Sequence, residues 1–153
     1  MLVAVAALSL GTQQIQGASK VNNFNYVYVS HTLSGQELEA SILFIANEPM
    51  HIQAVQGAVS VPAAGTIGLY VVKGGAPCRD PATNAPNGLS IFDVTTSPPT
   101  TFNLAGQPGP VTTIPLSKVP GALALAPGSM ICAMDVAHAD QLARVNLTIS
   151  LGP

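Results

Sequence analysis

Residues Arg144 to Leu151 constrain the fold of this chain more than any other stretch. Val145, Leu147, Ile149 and Leu151 alternate with Arg144, Asn146, Thr148 and Ser150, the period of two that sets one face of a strand against a core and the other in water. Short β-type runs recur upstream between Gly and Pro residues: Asn25 to Ser30, Glu39 to Ala46, Ile52 to Val61, Ile67 to Lys73, Leu89 to Val94 and Val111 to Leu116. With 14 Gly and 13 Pro among 153 residues, no window keeps apolar residues at helical spacing without meeting a breaker, so long helices are not expected. About eight short strands spaced by turn signals predict an all-β chain, an antiparallel β-sandwich of the jelly-roll kind with long Pro/Gly-rich loops.

Local patterns refine this expectation. Ile52 and Ala54 lie in one phase and Val55, Val59 and Val61 in the other, which predicts a β-bulge close to Ala54 and Val55. Pro115 demotes its run to an edge. Ala126-Pro127-Gly128-Ser129 reads as a turn, Pro supplying its fixed φ and Gly tolerating a positive one. After it, Met130, Cys132, Met134 and Val136 share a face, and Met130, Cys132 and Met134 are expected to pack opposite Val145, Leu147, Ile149 and Leu151 from a neighbouring strand or the facing sheet. In NYVYVS, Tyr26 and Tyr28 alternate with Val27 and Val29, so both faces of that strand are expected to be covered. The chain divides into an N-terminal strand or arm segment, residues 1–38, and a sandwich domain, residues 39–153.

Charge is the second constraint. Asp, Glu, Lys and Arg make up 8% of the chain, against about 25% in an ordinary soluble domain. The run from Met1 to Ser19 is broken by Gly11, Gln13, Gln14 and Gln16, so it holds no apolar stretch of about 18 residues to span a bilayer. It also lacks the positive n-region of a secretory signal, and it is expected to be retained. Apolar excess in water then points to burial against other protein. Met1, Leu2, Val3, Val5, Leu8 and Leu10, with Tyr26 and Tyr28, are the candidate interface residues of a homo-oligomer, a trimer being favoured. Five scattered basic residues and a net charge of -2 offer no stripe for phosphates, so neither nucleic acid nor membrane is an expected partner.

The search for chemistry returns little. His31, His51 and His138 lie far apart and make no zinc-site spacing, and there is no G-x-S-x-G, Walker, G-x-G-x-x-G or HExxH sequence. No enzyme, metal or cofactor is expected. Glu37 and Glu39 would share a face of a strand and serve to solvate it. Cys132, in phase with Met130 and Met134, and Cys78, in a Pro-rich loop, are expected to be free thiols, consistent with synthesis in a cytoplasm. Asn146-Leu147-Thr148 matches a glycosylation sequon, but a half-wet strand needs those polar positions anyway. Two long loops, Gly74 to Gly88 and Ser97 to Pro110, are the places for function.

The order ASILFIANEPMHIQAVQGAVSVPAAGTIGLYVVKGGAP, LSIFDV, PLSKVPGALALAPGSMICAMDV and VNLTISL, from Ala40 to Leu151, resembles small structural proteins of tailed bacteriophages. The shared features are packing and turn motifs, and Ser129 stands where the pattern usually carries Asp. The resemblance implies a capsid decoration, or cement, protein: a non-enzymatic sandwich on the capsid exterior that bridges major capsid proteins and stabilises the shell, made in the host cytoplasm. Alternatives are another virion-surface component, such as a head-fibre, tail or host-glycan-binding protein using Asn84 to Asn87 and Asn103 to Gln107, or a lectin-like module. The last suffers from the absence of Trp and an aromatic content of 5%.

Overall fold

The computed structural model describes residues 18–21, 24–97, 100–137 and 139–153, with side chains described from residue 27 onward. Its strands are β1 (Ala18–Val21), β2 (Phe24–Ser34), β3 (Ala40–Ile45), β4 (Met50–Val61), β5 (Thr66–Val72), β6 (Leu89–Ser90), β7 (Phe102–Asn103), β8 (Thr112–Thr113), β9 (Ala124–Leu125), β10 (Met130–Ala137) and β11 (Arg144–Gly152). They form two antiparallel sheets, which make the expected sandwich. The six-stranded sheet runs β1-β2-β11-β4-β8, with β9 also on β4; the five-stranded sheet runs β3-β10-β5-β6, with β7 also on β5. The strands exceed the eight expected because β8 and β9 share one lane beside β4, while β6 and β7 share one beside β5. Pro and Gly cut those two lanes into pairs of residues: Leu89 to Val94 pairs only at Leu89–Ser90 and again at a bridge from Phe92 to Leu116.

From β2 to β5, successive strands alternate between the sheets, and the chain crosses again from β10 to β11. β11 is therefore clamped between β2 and β4 along most of its length. Its alternation is read out as expected: Val145, Leu147, Ile149 and Leu151 are buried, and Leu147 is 1% exposed. Across the sandwich they share one cluster with Leu43, Ile67, Leu69, Ile131 and Ala133, and with Phe92, Phe102 and Leu104 from the loops.

Two slips in β4 adjust its phase. The β4 partner shifts from Ala54 to Ile52 between Ser150 and Leu151, leaving Gln53 as the extra residue, beside the expected bulge. Met50 and Ile52 on one side of it and Val55 and Val59 on the other thus reach the same core. A second slip, between Arg144 and Val145, leaves Val61 exposed. The expected turn forms, with Gly128 at φ 84° and the Ser129 N–H donating to the Ala126 carbonyl at 2.9 Å.

Three expectations are corrected. Glu37 and Glu39 do not share a strand. Gly35–Leu38 is a 3₁₀ turn, in which the Glu37 carboxylate accepts from the Ser34 N–H at 3.2 Å, while Glu39 accepts from the Gln141 amide at 2.9 Å. The outward face of β2 is exposed at Tyr28, Ser30 and Thr32, so among the described residues only its Val27, Val29 and Leu33 side is covered. Finally, Met130, Cys132 and Met134 are buried but do not face β11. They form a second cluster with Val72 on the outer side of their sheet, while Ile131 and Ala133 supply the main core and Val136 is exposed. β10 is covered on both faces because a loop lies over its outer one.

Candidate functional site

That covering loop is Gly74 to Gly88, and two side chains fix it. Cys78 is joined to Cys132 by a disulfide, with Cα atoms 5.9 Å apart. The free thiols expected from the sequence are thus corrected, and with them goes the support they lent to a reducing compartment. The in-phase Met-Cys-Met side chains read as core, and core they are; the face they occupy is the one the Cys78 loop closes.

Next to the disulfide, Arg79 spreads its guanidinium over four oxygens. It donates to the Glu39 carbonyl at 2.9 Å, the Asn84 carbonyl at 2.8 Å and the Asp135 carbonyl at 2.9 Å, and it pairs with the Asp135 carboxylate. The planar fork of Arg suits such convergent acceptors, and Lys would not reproduce it. Within the loop the Asp80 carboxylate accepts from the Ala82 N–H at 2.7 Å, and Asn84 takes a positive φ of 56°. Asn84 to Asn87 is consequently a shaped, pinned segment. Tyr70 packs into the same outer cluster; burial raises its phenol pKa above the ordinary value, against the opposing charge of Arg79.

The second loop is held differently. Asp93 is nearly buried and accepts from the Thr95 N–H at 2.9 Å and the Thr95 hydroxyl at 2.6 Å, while its backbone carbonyl accepts from the Thr100 N–H at 2.9 Å. Those Thr95 bonds, helped by Lys118, hold the Asp93 carboxyl below its usual pKa. Phe102 and Leu104 then plug inward, and a groove of about 430 Å³ opens beside them, lined by Thr101, Asn103, Gln107 and Thr113 among others. Asn84 lines a separate concavity with Arg79 and Asp135, so the two loop segments do not converge on one site.

The third feature lies where the sandwich is open. β3 ends its sheet, and β1 covers β2 only at Phe24–Val27, so the β2 edge from Tyr28 to Ser34 has no partner among the described strands. Between these edges runs a groove of about 870 Å³, bordered by Tyr28 and His31 on one side and Ile42, Phe44, Ile45 and Asn47 on the other. Tyr28 is 45%, Ile42 50% and Ile45 51% exposed. A slip in the β3–β10 ladder turns Leu43 and Phe44 together toward the core and leaves Ile42 and Ile45 outside. Of the candidate interface residues, Tyr28 stands at the lip of this groove. The Tyr26 backbone pairs with Ser19, and Met1, Leu2, Val3, Val5, Leu8 and Leu10 lie outside the described residues. Ile42 and Ile45 were not singled out from the sequence, although the unbroken apolar run Ile42 to Ala46 signals a strand with both sides to cover.

Among the described residues no group of three or more His, Cys, Asp or Glu is placed to hold a metal ion, and no helix is long and apolar enough to cross a membrane. No protein-family model matches the chain, and no curated protein matches it by sequence. Among solved structures it is similar to a chain of the cyanophage Pam1 capsid asymmetric unit, at 14% identity over 92% of this chain and 94% of that one, with a TM-score of 0.42. It is also similar to a chain of the virus-like particle of extra small virus from the giant freshwater prawn Macrobrachium rosenbergii, at 14% identity over 99% of this chain and 94% of that one, with a TM-score of 0.33. Scores of this size do not establish a common fold, and such identity establishes no common function.

Proposed function

We propose that this chain is a non-enzymatic structural component of a virion, one that decorates the outside of a tailed-phage capsid and bridges its major capsid proteins. The observation that carries the reading is a body pinned by a disulfide and a four-acceptor Arg79 that still leaves apolar side chains at its rim. Leu142 is 75% and Val111 66% exposed, in a chain with 8% charged residues. Apolar surface of this kind marks association, and fixed loops bind without a large ordering cost. A disulfide also suits a virion surface, where such bonds persist. The alternation of strands between sheets, with β2-β11-β4 facing β3-β10-β5, supports the jelly-roll form of the sandwich.

The mechanism is mechanical. Each copy adds buried area between neighbouring shell subunits, and repetition over the lattice multiplies the effect. A homo-oligomer, with the trimer as the favoured state, places equivalent apolar rims around one symmetry axis. Mass spectrometry of purified virions with imaging of their surface tests the reading. The protein should be present in many copies, as external density joining capsomers; its absence from purified particles, or a position inside the shell, overturns the proposal.

A further inference from the structure

The Gly74 to Gly88 loop is folded back on itself as a small hairpin. The Asn87 N–H donates to the Cys78 carbonyl and the Asp80 N–H to the Ala85 carbonyl, both at 2.9 Å, with Arg79 and Pro86 bridged between them. Its two ends sit directly on backbone: a Cβ at Gly74 would lie 2.5 Å from the Gly128 carbonyl oxygen, and one at Gly88 would strike the Val71 carbonyl. Between those ends the hairpin is fastened to β10 twice, by different chemistry. One fastening is the bond from Cys78 to Cys132; the other is Arg79, which joins the carbonyls of Glu39 and Asp135 just past the Ala40–Met134 end of the β3–β10 ladder. The Arg79 and Asp135 side chains are 21% and 22% exposed, so their pair is largely out of water, and it forms whatever the oxidation state of the cysteines. The bond also lies apart from the main core. Cys132 belongs to the outer cluster with Val72, Met130 and Met134, and none of these contributes to the cluster that β4 and β11 share with the facing sheet.

We infer that this hairpin is a redox latch: Arg79 shuts it over β10 while Cys78 and Cys132 are still thiols, and the disulfide then locks a flap already closed. Arg79 is thereby a positioning residue for the bond. What it contributes to closing the flap it contributes equally to the effective concentration of one thiol at the other. Cys78 is half-buried and Cys132 is 0% exposed, so a small disulfide such as oxidised glutathione meets Cys78 first. Cys78, its proton lost to water, attacks one sulfur of that oxidant, whose S–S bond breaks to release one glutathione thiolate. Cys132 gives up its proton in turn, attacks Cys78 Sγ and expels the second glutathione thiolate. Two protein thiols are oxidised, and the small disulfide is reduced to two thiols. On the shell-component reading, this order lets a chain fold and assemble where thiols are kept reduced and lock on release into an oxidising medium.

The latch rests on that reading for its purpose only, and its test uses the isolated full-length chain. Wild type and Arg79→Ala are equilibrated in glutathione buffers, and the ratio of disulfide to dithiol is read by thiol alkylation and mass. The effective concentration is expected to fall about tenfold or more in Arg79→Ala, the scale of losing hydrogen bonds to a charged, part-buried group. Closure of the flap without the bond is read in Cys78→Ser, where the alkylation rate of Cys132 reports how often the cover lifts. Adding Arg79→Ala should raise that rate about tenfold or more. Reduced wild type should keep its near-UV dichroism and a single cooperative melt. Should Arg79→Ala fail to fold, Asp135→Asn, which keeps the backbone acceptors, is read in its place, with changes in the same direction. Three results overturn the inference: a reduced wild type without a cooperative melt, an effective concentration indifferent to Arg79, or a Cys132 equally reactive with and without it. Absence from virions would leave the latch standing, and a failed latch would leave the capsid reading standing.

Discussion

At Gly57 and Asp93 single atoms decide how the second loop sits. A Cβ at Gly57 would lie 2.5 Å from Phe102 Cε2 and 3.1 Å from Leu147 Cδ2, so this β4 position is small because the loop's aromatic plug rests on it. Gly57→Ala is expected to destabilise by about 1–3 kcal/mol through overpacking, measured by denaturant unfolding. Asp93 gives a pH signature. Its folded pKa is depressed, chiefly by the Thr95 hydroxyl and N–H, so its contribution is present above the unfolded carboxylate range and is lost as pH falls through the folded value. Unfolding between about pH 5 and pH 2 should therefore be less pH-dependent in Asp93→Asn than in the wild type. Thr95→Val should remove more of that dependence than Lys118→Ala, because the Lys118 ammonium stands 3.7 Å away on a largely exposed side chain.

At the scale of elements, β10 and β11 are the two central strands, and they are covered in different ways. β11 has one buried face, so Leu147→Ala should cost about 2–5 kcal/mol, read from the same unfolding curves. β10 owes the burial of its outer face to the Cys78 loop. The bond from Cys78 to Cys132 spans a sequence separation of 54 residues, and closing a loop of that size in the unfolded chain is worth about 4 kcal/mol on the chain-entropy model. Cys78→Ala with Cys132→Ala, or reduction of the wild type, should lower the melting temperature by about 5–15 °C. It should also speed amide exchange in β10 while sparing β11. An equal loss of protection in both strands would show that the loop is not a local cover.

For the whole molecule the decisive contact is between the ends of the described chain. β2 pairs with β11 from Val27–Leu151 to Ser34–Arg144, and β11 alone joins β2 to β4. A chain truncated after Ala143 leaves both strands without their shared partner and should not fold, as far-UV dichroism and near-UV dichroism together would show. Ladders closed between such distant residues also predict slow folding, in milliseconds to seconds, which stopped-flow refolding checks.

Periodicity by itself determined the strands whose one face is wet. The alternation from Val145 to Leu151, the phase change near Ala54 and the Ala126–Ser129 turn are local consequences of pleat and φ, so they are legible without tertiary context. The same pattern grouped Met130, Cys132 and Met134 correctly on a face, yet which side of the sheet that face occupies is set by what lies over it, a loop more than 40 residues upstream. Period two distinguishes two faces and assigns neither to the core when both are apolar. Cys78 and Cys132 carry no sign of each other in sequence, because their approach depends on where that loop lands. Likewise the exposure of Ile42 and Ile45 follows from a ladder slip in β3, which ends its sheet among the described strands, and only the assembled sandwich reveals which strand stands at that edge.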